Sequence, residues 1–319
     1  MSILKQEKIL GLDIGYETIK LIQLAPLSNG YKLIGYNEIP LKERILERDR
    51  FKNKAVTANL IKDACRMAKP SAIKATKIVS ALPESFVFSK TIQIPKMSEK
   101  EYGSAILTEA AQYLPIPVEQ TYIDYQVLIV HPDDALVDIL FVAAPKNLVD
   151  DYIEMSRLAG LELIALETKP LAVGRSVLTF HPTNEAIAIL EIGSEATRIS
   201  IWENKQIRLT TSITTGKNQI EHLLGNTHEI NDINLELVKT ALTNISQETI
   251  NAIKYHQNRD YKPKPISEIL LCGSGAKITN IDKYLGSLIN IKTSIVSPSF
   301  KEIGTEFITS TGLSMWPGK

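Results

Sequence analysis

The chain is short of the residues that mark several protein classes. Its two cysteines, Cys65 and Cys272, stand too far apart for metal-ligand spacing. That argues against a secreted disulfide scaffold and for a reducing cytosol. The five histidines are scattered, with no His-x-x-x-His pair. Net charge is absent too: 36 Lys and Arg stand against 36 Asp and Glu. There is therefore no electrostatic reason to expect nucleic acid or anionic lipid as a partner. No window approaches the ~18 apolar residues of a membrane helix, and residues 1–7 hold no signal-peptide core. The expectation is a cytoplasmic chain with no direct membrane insertion, which reaches a membrane when another chain recruits it. What is present is 319 residues, 44% hydrophobic and 23% charged, enough to fold as two ordinary domains.

The organising stretch is Gly11-Leu12-Asp13-Ile14-Gly15-Tyr16-Glu17-Thr18-Ile19-Lys20. Ile9, Leu10, Leu12 and Ile14 read as a buried strand, Gly15 as a turn free in φ, and Ile19, Leu21, Ile22 and Leu24 as a second strand. A carboxylate before such a turn and a lysine after it suit a phosphate. Backbone N–H groups face the oxygens, Lys20 neutralises charge, and Asp13 holds a metal ion through water. A plain glycine-turned hairpin is the competing reading. A second copy, Leu190-Glu191-Ile192-Gly193-Ser194-Glu195-Ala196-Thr197-Arg198, repeats the pattern without a gap: Asp13 maps to Glu191, Gly15 to Gly193 and Lys20 to Arg198 at one constant offset. Two copies imply two similar lobes facing one ligand, where a solenoid would need more repeats.

Periodicity orders the rest. Three strands, a helix at 57–68 capped by Thr57 and a strand at 75–82 make an α/β unit. Pro83 and Pro95 then bracket a change of texture. A strand runs to Ile94, a Ser98/Glu101 capping box opens a helix at 98–113, and Leu114-Pro115-Ile116-Pro117 stops it. Two strands, a helix at 147–159 and a strand at 161–166 follow, so the segment reads as a small α+β unit inserted in the first lobe. Glu109 falls inside the helix's apolar stripe; it is either the rim of a buried face or a charge held for a partner. The charged run at 42–50 reads as a solvated loop or helix end. A helix at 171–178 leads to the second hairpin, a further strand at 206–213 and a long helix at 234–258. The strand-turn Ile269-Leu270-Leu271-Cys272-Gly273-Ser274-Gly275 then offers bare backbone against which a planar base can lie. Cys272 reads as a small buried residue and not as a nucleophile. A short helix at 303–315, with Gly312 allowing close packing, ends the pattern.

A hairpin with Asp, a second hairpin, then a strand into Gly-x-Gly: in this order the motifs resemble the three nucleotide-binding motifs of the actin-like ATPase superfamily. Lys96-Met97-Ser98-Glu99-Lys100-Glu101 and Gln112-Tyr113-Leu114-Pro115-Ile116-Pro117 narrow the resemblance to the PilM family, the cytoplasmic actin-like proteins of type IV pilus assembly, related to FtsA. Motifs and order match over essentially the whole chain. The resemblance implies an α/β, actin-like (ribonuclease H-like) two-lobed fold with a small α+β insert. The expected division is a first lobe at 1–85, the insert at 86–166, a return with the crossover helix at 167–183, a second lobe at 184–300, and a C-terminal helix at 301–319 packing back on the first lobe.

The resemblance also implies ATP and magnesium in the cleft. Gly15, Tyr16, Thr18 and Lys20 match the first phosphate motif, with Asp13 as the metal-holding carboxylate. Gly193, Ser194, Thr197 and Gly216 belong to the second, beside Glu191. Gly273, Ser274 and Gly275 match the adenosine motif, and Glu248 stands where the family has a ribose-contacting glutamate. Asp13 and Glu191 are the candidate catalytic carboxylates. The implied partner is the N-terminal cytoplasmic tail of a PilN-like membrane protein, lying beside the insert, with Glu109, Tyr113 and Ile116 as candidate groove residues. Other pilus platform proteins are implied as neighbours, self-association stays open, and recruitment is to the inner face of the cytoplasmic membrane.

The departures shape the expected activity. Glu191 stands where the family has Asp, Thr215-Gly216 where it has Gly-Gly, Ser212 where it has Arg, and Asn251-Ala252 where it has Arg-Ser. Placing a metal and activating water need accurate carboxylate geometry, and a 1 Å error costs ~10²-fold. Nucleotide binding should therefore survive better than hydrolysis, leaving at most a slow ATPase. Two other readings stay in play. A sugar-kinase-type phosphotransferase needs an aspartate base, for which no Asp-Gly candidate is seen. An FtsA-like filament-forming protein carries a C-terminal amphipathic helix, which Trp316-Pro317-Gly318-Lys319 does not supply.

Overall fold

Each glycine-turned hairpin seeds a lobe. The computed structural model describes residues 8–47, 50–130, 135–225, 227–258 and 263–318. The opening residues 1–7, and Lys262 in the break before the adenosine-type strand, lie outside the described residues.

The first lobe runs β1 (Ile9–Ile14), β2 (Thr18–Leu27), β3 (Gly30–Pro40), a short hairpin of β4 (Leu46–Glu47) and β5 (Arg50–Phe51), α1 (Lys54–Arg66), β6 (Lys69–Pro70) and β7 (Lys77–Leu82). The inserted unit follows as β8 (Phe88–Pro95), α2 (Glu99–Ala110), β9 (Thr121–Val130) and β10 (Leu136–Pro145). The chain returns through α3 (Lys146–Leu158), β11 (Glu162–Thr168) and α4 (Lys169–Phe180). The second lobe holds β12 (Ala186–Ile192), β13 (Thr197–Glu203), β14 (Gln206–Ile213), α5 (Lys217–Leu224), α6 (Leu235–Gln257), β15 (Ile266–Cys272), α7 (Ile281–Ile289) and β16 (Thr293–Ile295), and α8 (Ile308–Ser314) closes it.

The two lobes are built alike. The first sheet has the order β11-β7-β1-β2-β3-β6 and the second β14-β13-β12-β15-β16. In each, three antiparallel strands lead into two parallel ones across the first strand. The register repeats as well: Asp13 faces Lys20 across β1 and β2, and Glu191 faces Arg198 across β12 and β13. Even the turns match, with the Gly15 N–H donating to the Thr18 carbonyl and the Gly193 N–H to the Ala196 carbonyl, both at 2.9 Å. Neither glycine adopts the left-handed region. Gly15 is required for closeness and not for a positive φ, because a Cβ there would lie 3.0 Å from the Thr18 carbonyl oxygen.

Both strands of the first hairpin are buried because helices cover both sheet faces. Leu10, Leu12, Ile14, Ile19 and Leu21 pack with Ile61 of α1 and with Leu148, Tyr152 and Met155 of α3. On the other side lie α4 and α8, where Ile9, Val79 and Ala81 meet Ala172 and Leu313. α8 follows the second lobe in sequence, yet it packs on the first-lobe strand β1 and on α4. A Cβ on Gly11 would meet the Ser310 carbonyl oxygen at 2.0 Å, and one on Gly312 the Ala172 carbonyl oxygen at 1.8 Å. α4 reaches the other way, burying Val173 and Val177 with Ile187, Ile189 and Trp202 of the second lobe. This exchange of terminal helices couples the lobes behind the cleft.

Three expectations need correction. The helix predicted at 57–68 starts at Lys54, capped by Asn53 Oδ1 accepting from the Val56 N–H; Thr57 is buried inside the helix. The insert is smaller than 86–166. α3 belongs to the first-lobe core and β11 pairs in parallel with β7, so the separate layer is the sheet β8-β10-β9 with α2 on it. A strand and a helix that follow an insert carry no sequence mark of which sheet they join. The charged run at 42–50 holds β4 and the start of β5, with Leu46 and Phe51 buried.

Candidate functional site

A cleft of about 440 Å³ lies between the lobes, and both hairpin turns open onto it. That is the size of a small-molecule site. Asp13, Gly15, Tyr16, Thr18 and Lys20 line it from one side, and Glu191, Gly193, Ser194 and Arg198 from the other, with Gly273 and Ser274 beside them. Gly273 has φ +89 and a Cβ there would lie 2.6 Å from the Ile192 carbonyl oxygen. A side chain is excluded on both counts, which brings the β15 turn hard against β12.

The two hairpin carboxylates are buried and occupied. Asp13 Oδ1 lies 2.7 Å from Nζ of Lys169, the first residue of α4. Burial works to raise the Asp13 pKa, but Lys169 and then Lys20 and Arg198 outweigh it and hold the carboxyl below its ordinary value. Glu191 Oε2 lies 3.3 Å from Arg198 Nη1, and its Oε1 accepts from the Thr309 hydroxyl of α8 at 2.8 Å. Cys272, buried at the end of β15, has its thiol pushed well above the ordinary pKa by burial and by the neighbouring Glu191 charge. It is no nucleophile.

The remaining charges sit at the cleft's mouth in pairs. Lys20 meets Glu38 at 3.2 Å, and Lys277 meets Glu306 at 3.4 Å. Several pairs bridge the lobes. Glu17, in the first hairpin turn, accepts from Lys217 at 3.2 Å and from the Asn218 amide at 2.5 Å, both on α5. Arg44 pairs with Glu195 of the second turn and lies over the Tyr16 ring. A polyanion entering here would draw on cations that carboxylates hold in its absence, so occupancy and lobe contact are linked by charge.

The residues fit a polyphosphate: two tight turns flanked by Lys20, Lys169, Arg198 and Lys217. They do not fit a protein-ligated divalent ion at Asp13. Its carboxylate already carries the Lys169 ammonium, with Lys20 and Arg198 close enough to act on it. Among the described residues no group of three or more His, Cys, Asp or Glu could hold a metal.

The comparisons with known proteins agree with this geometry. The family model for the type IV pilus assembly protein PilM matches residues 11–306. The chain belongs to the PilM family. A solved PilM-PilN type IV pilus biogenesis complex superposes with a TM-score of 0.82 at 22% identity, over 97% of this chain and 98% of that one. MreB 5 of Spiroplasma citri, solved bound to AMPPNP, gives a TM-score of 0.53 at 12% identity, over 98% and 96%. The fold is actin-like. Among curated proteins, the cell division protein FtsA of Bacillus subtilis (strain 168) is 23% identical over 228 residues, 66% of this chain and 48% of FtsA. The chain thus spans about half the length of that relative. Family membership supports the pilus-assembly reading.

Not every residue the resemblance brought forward lies at the cleft. Thr197, Gly216 and Gly275 sit behind its wall. The Thr197 hydroxyl donates to the Thr215 carbonyl at 2.7 Å, and Cβ atoms on Gly216 or Gly275 would run into the Ala196 N–H or the Ile192 side chain. Glu248 is half-buried within α6 and is not among the residues lining the cavity; Glu221 of α5 is. The α6 helix packs its apolar side on the second sheet. Glu109, Tyr113 and Ile116 lie away from the cleft on the insert. Glu109 accepts from Gln112 at 3.3 Å, Tyr113 is beyond the end of α2 with the Lys90 ammonium over its ring, and Ile116 is half-buried in the turn. Sequence reasoning missed Glu17, Arg44, Lys169 and Lys217 as cleft residues. Lys169 left one signal, a lysine at the start of a mostly apolar helix, just before Pro170.

Proposed function

We propose that this chain is the ATP-binding, actin-like scaffold of a type IV pilus assembly platform. It binds the N-terminal cytoplasmic tail of a PilN-like membrane protein and is thereby recruited to the inner face of the cytoplasmic membrane. The observation that carries the nucleotide part is the pair of matched hairpin turns opening, with their lysine and arginine, onto one cleft. ATP lies with its phosphates at the Gly15 and Gly193 turns and its base at Gly273 and Ser274. Magnesium accompanying the ATP rides on its phosphate oxygens and on water, with no ligand from Asp13. Turnover is slow, because Asp13 and Glu191 are both held by cations and neither is free to activate water.

The phosphates compete for Lys217 and Arg44 with Glu17 and Glu195, so nucleotide shifts the balance of lobe positions. The insert rides on that balance, since Leu128 and Leu140 of its sheet pack with Ile187 and Ile207 of the second lobe. The PilN-like tail lies in the groove by α2 and the Leu114-Pro115-Ile116-Pro117 turn, with apolar anchors and Glu109 for orientation. Other platform proteins and further copies of the chain meet it elsewhere on its surface. Titrating a PilN-like N-terminal peptide into the intact protein and into Ile116→Asp, with and without ATP, tests this. Binding should weaken at least tenfold in the variant and respond to ATP in the intact chain. Equal binding to both proteins would remove the groove, and no response to ATP would remove the coupling.

A further inference from the structure

The pairing of Asp13 with Lys169 has a consequence for what the cleft requires. Asp13 and Lys169 are both buried, with 7% relative exposure each, and their charged atoms are 2.7 Å apart. Among the described residues Asp13 is the one ion-pair partner of Lys169. Lys169 also opens α4, where the partial positive charge of a helix N-terminus disfavours a cation. The Asp13 carboxylate offsets that cost. Lys20 is different, having Glu38 as an ion-pair partner and the Thr18 hydroxyl as an acceptor.

A divalent ion at Asp13 would strand Lys169 as an unpaired buried charge and would face Lys169, Lys20 and Arg198 together. With the lysine in place, the carboxylate is already neutralised and a cation already points into the cleft. The Lys169 ammonium lies in ion-pair contact with Asp13 Oδ1, and its donors are directed at oxygen acceptors such as those of a phosphate. We propose that Lys169 is the resident cation of this site, so that nucleoside triphosphate binds in the cleft without any divalent metal. The inference rests on the nucleotide reading of the cleft given above.

Calorimetric titration of ATP into the purified full chain, once in EDTA and once in excess magnesium, tests it directly. The wild-type affinities should agree within about threefold, below the ordinary 5–150-fold range of a coupled cation and ligand. Lys169→Met keeps the length of the side chain and removes the charge. It should lose at least tenfold in EDTA and recover much of the loss in magnesium, because Asp13 is then free to hold a hydrated ion. Lys169→Arg should stay metal-independent. Wild-type binding that falls tenfold or more in EDTA would overturn the inference and leave the nucleotide reading standing. Binding in neither condition would overturn both. The wild-type comparison needs no variant, so a Lys169→Met chain that fails to fold, seen by circular dichroism, does not remove the test.

Discussion

Replacing Gly11 by Ala tests how the lobes are joined. The added Cβ would sit 2.0 Å from the Ser310 carbonyl oxygen and 2.6 Å from the Ser314 N–H, both backbone atoms of α8. Non-bonded contact begins at about 3.5 Å, so α8 has to withdraw from β1 by on the order of 1 Å. That helix is buried along its whole length, with Leu313 fully enclosed, and overpacking of this kind costs ~1–3 kcal/mol. Withdrawal also stretches the 2.8 Å bond from Thr309 to Glu191, linking the loss of packing to the cleft. Urea unfolding followed by tryptophan emission reads it, since Trp202 packs on α4 and Trp316 packs beside Leu313. The midpoint should fall by the equivalent of ~1–3 kcal/mol at unchanged slope. Gly103→Ala is the contrast: its Cβ meets nothing within 4 Å, and in the middle of α2 it should stabilise by ~0.5–1 kcal/mol. A Gly11→Ala midpoint within ~0.5 kcal/mol of wild type would refute the packing argument.

Three further expectations concern charge. Asp13 and Asp151 have folded-state pKa values below the ordinary 3.8, the first through Lys169 and Lys20 and the second through Arg50 and Lys54, each against a burial effect that works upward. Depressed carboxyl values contribute stability that is present above the unfolded pKa and lost as pH falls through the folded ones. The urea midpoint should therefore hold steady down to about pH 5 and drop below pH 4; a midpoint that rises on acidification would contradict it. Glu17→Ala frees Lys217 and Asn218 from across the cleft and should raise ATP affinity severalfold in a titration, whereas a fall would mean that Glu17 itself contacts the nucleotide. Steady-state phosphate release should lie far below the median enzyme turnover of ~10 s⁻¹; a rate near that value would mean that Glu191 is freed during the cycle.

Much of this was legible in the chain because it is local. The hairpins announce themselves through apolar runs, a glycine and a charged pair at fixed spacing, and the lobe duplication follows from Asp13, Lys20, Glu191 and Arg198. The Ser98/Glu101 box was equally readable, with the Ser98 N–H donating to the Glu101 carboxylate at 2.9 Å. What escaped was long-range. β11 joins β7 across the whole insert, and no feature of residues 161–166 says so. Lys169 acquires its meaning from a carboxylate far away in sequence, and Arg44 and Lys217 from turns on the opposite lobe. Glu248 is the converse case: it is not among the residues lining the cavity, and a linear motif match fixes neither helix position nor the direction a side chain faces.

A crystal structure of the chain with a non-hydrolysable ATP analogue tests the central claim most directly. The account predicts the phosphates between the Gly15 and Gly193 turns, within reach of Lys20 and Lys169, and the base against Gly273 and Ser274. A nucleotide seated outside this cleft, or a cleft still bridged by Glu17 and Lys217 with no nucleotide in it at a saturating concentration, would contradict it.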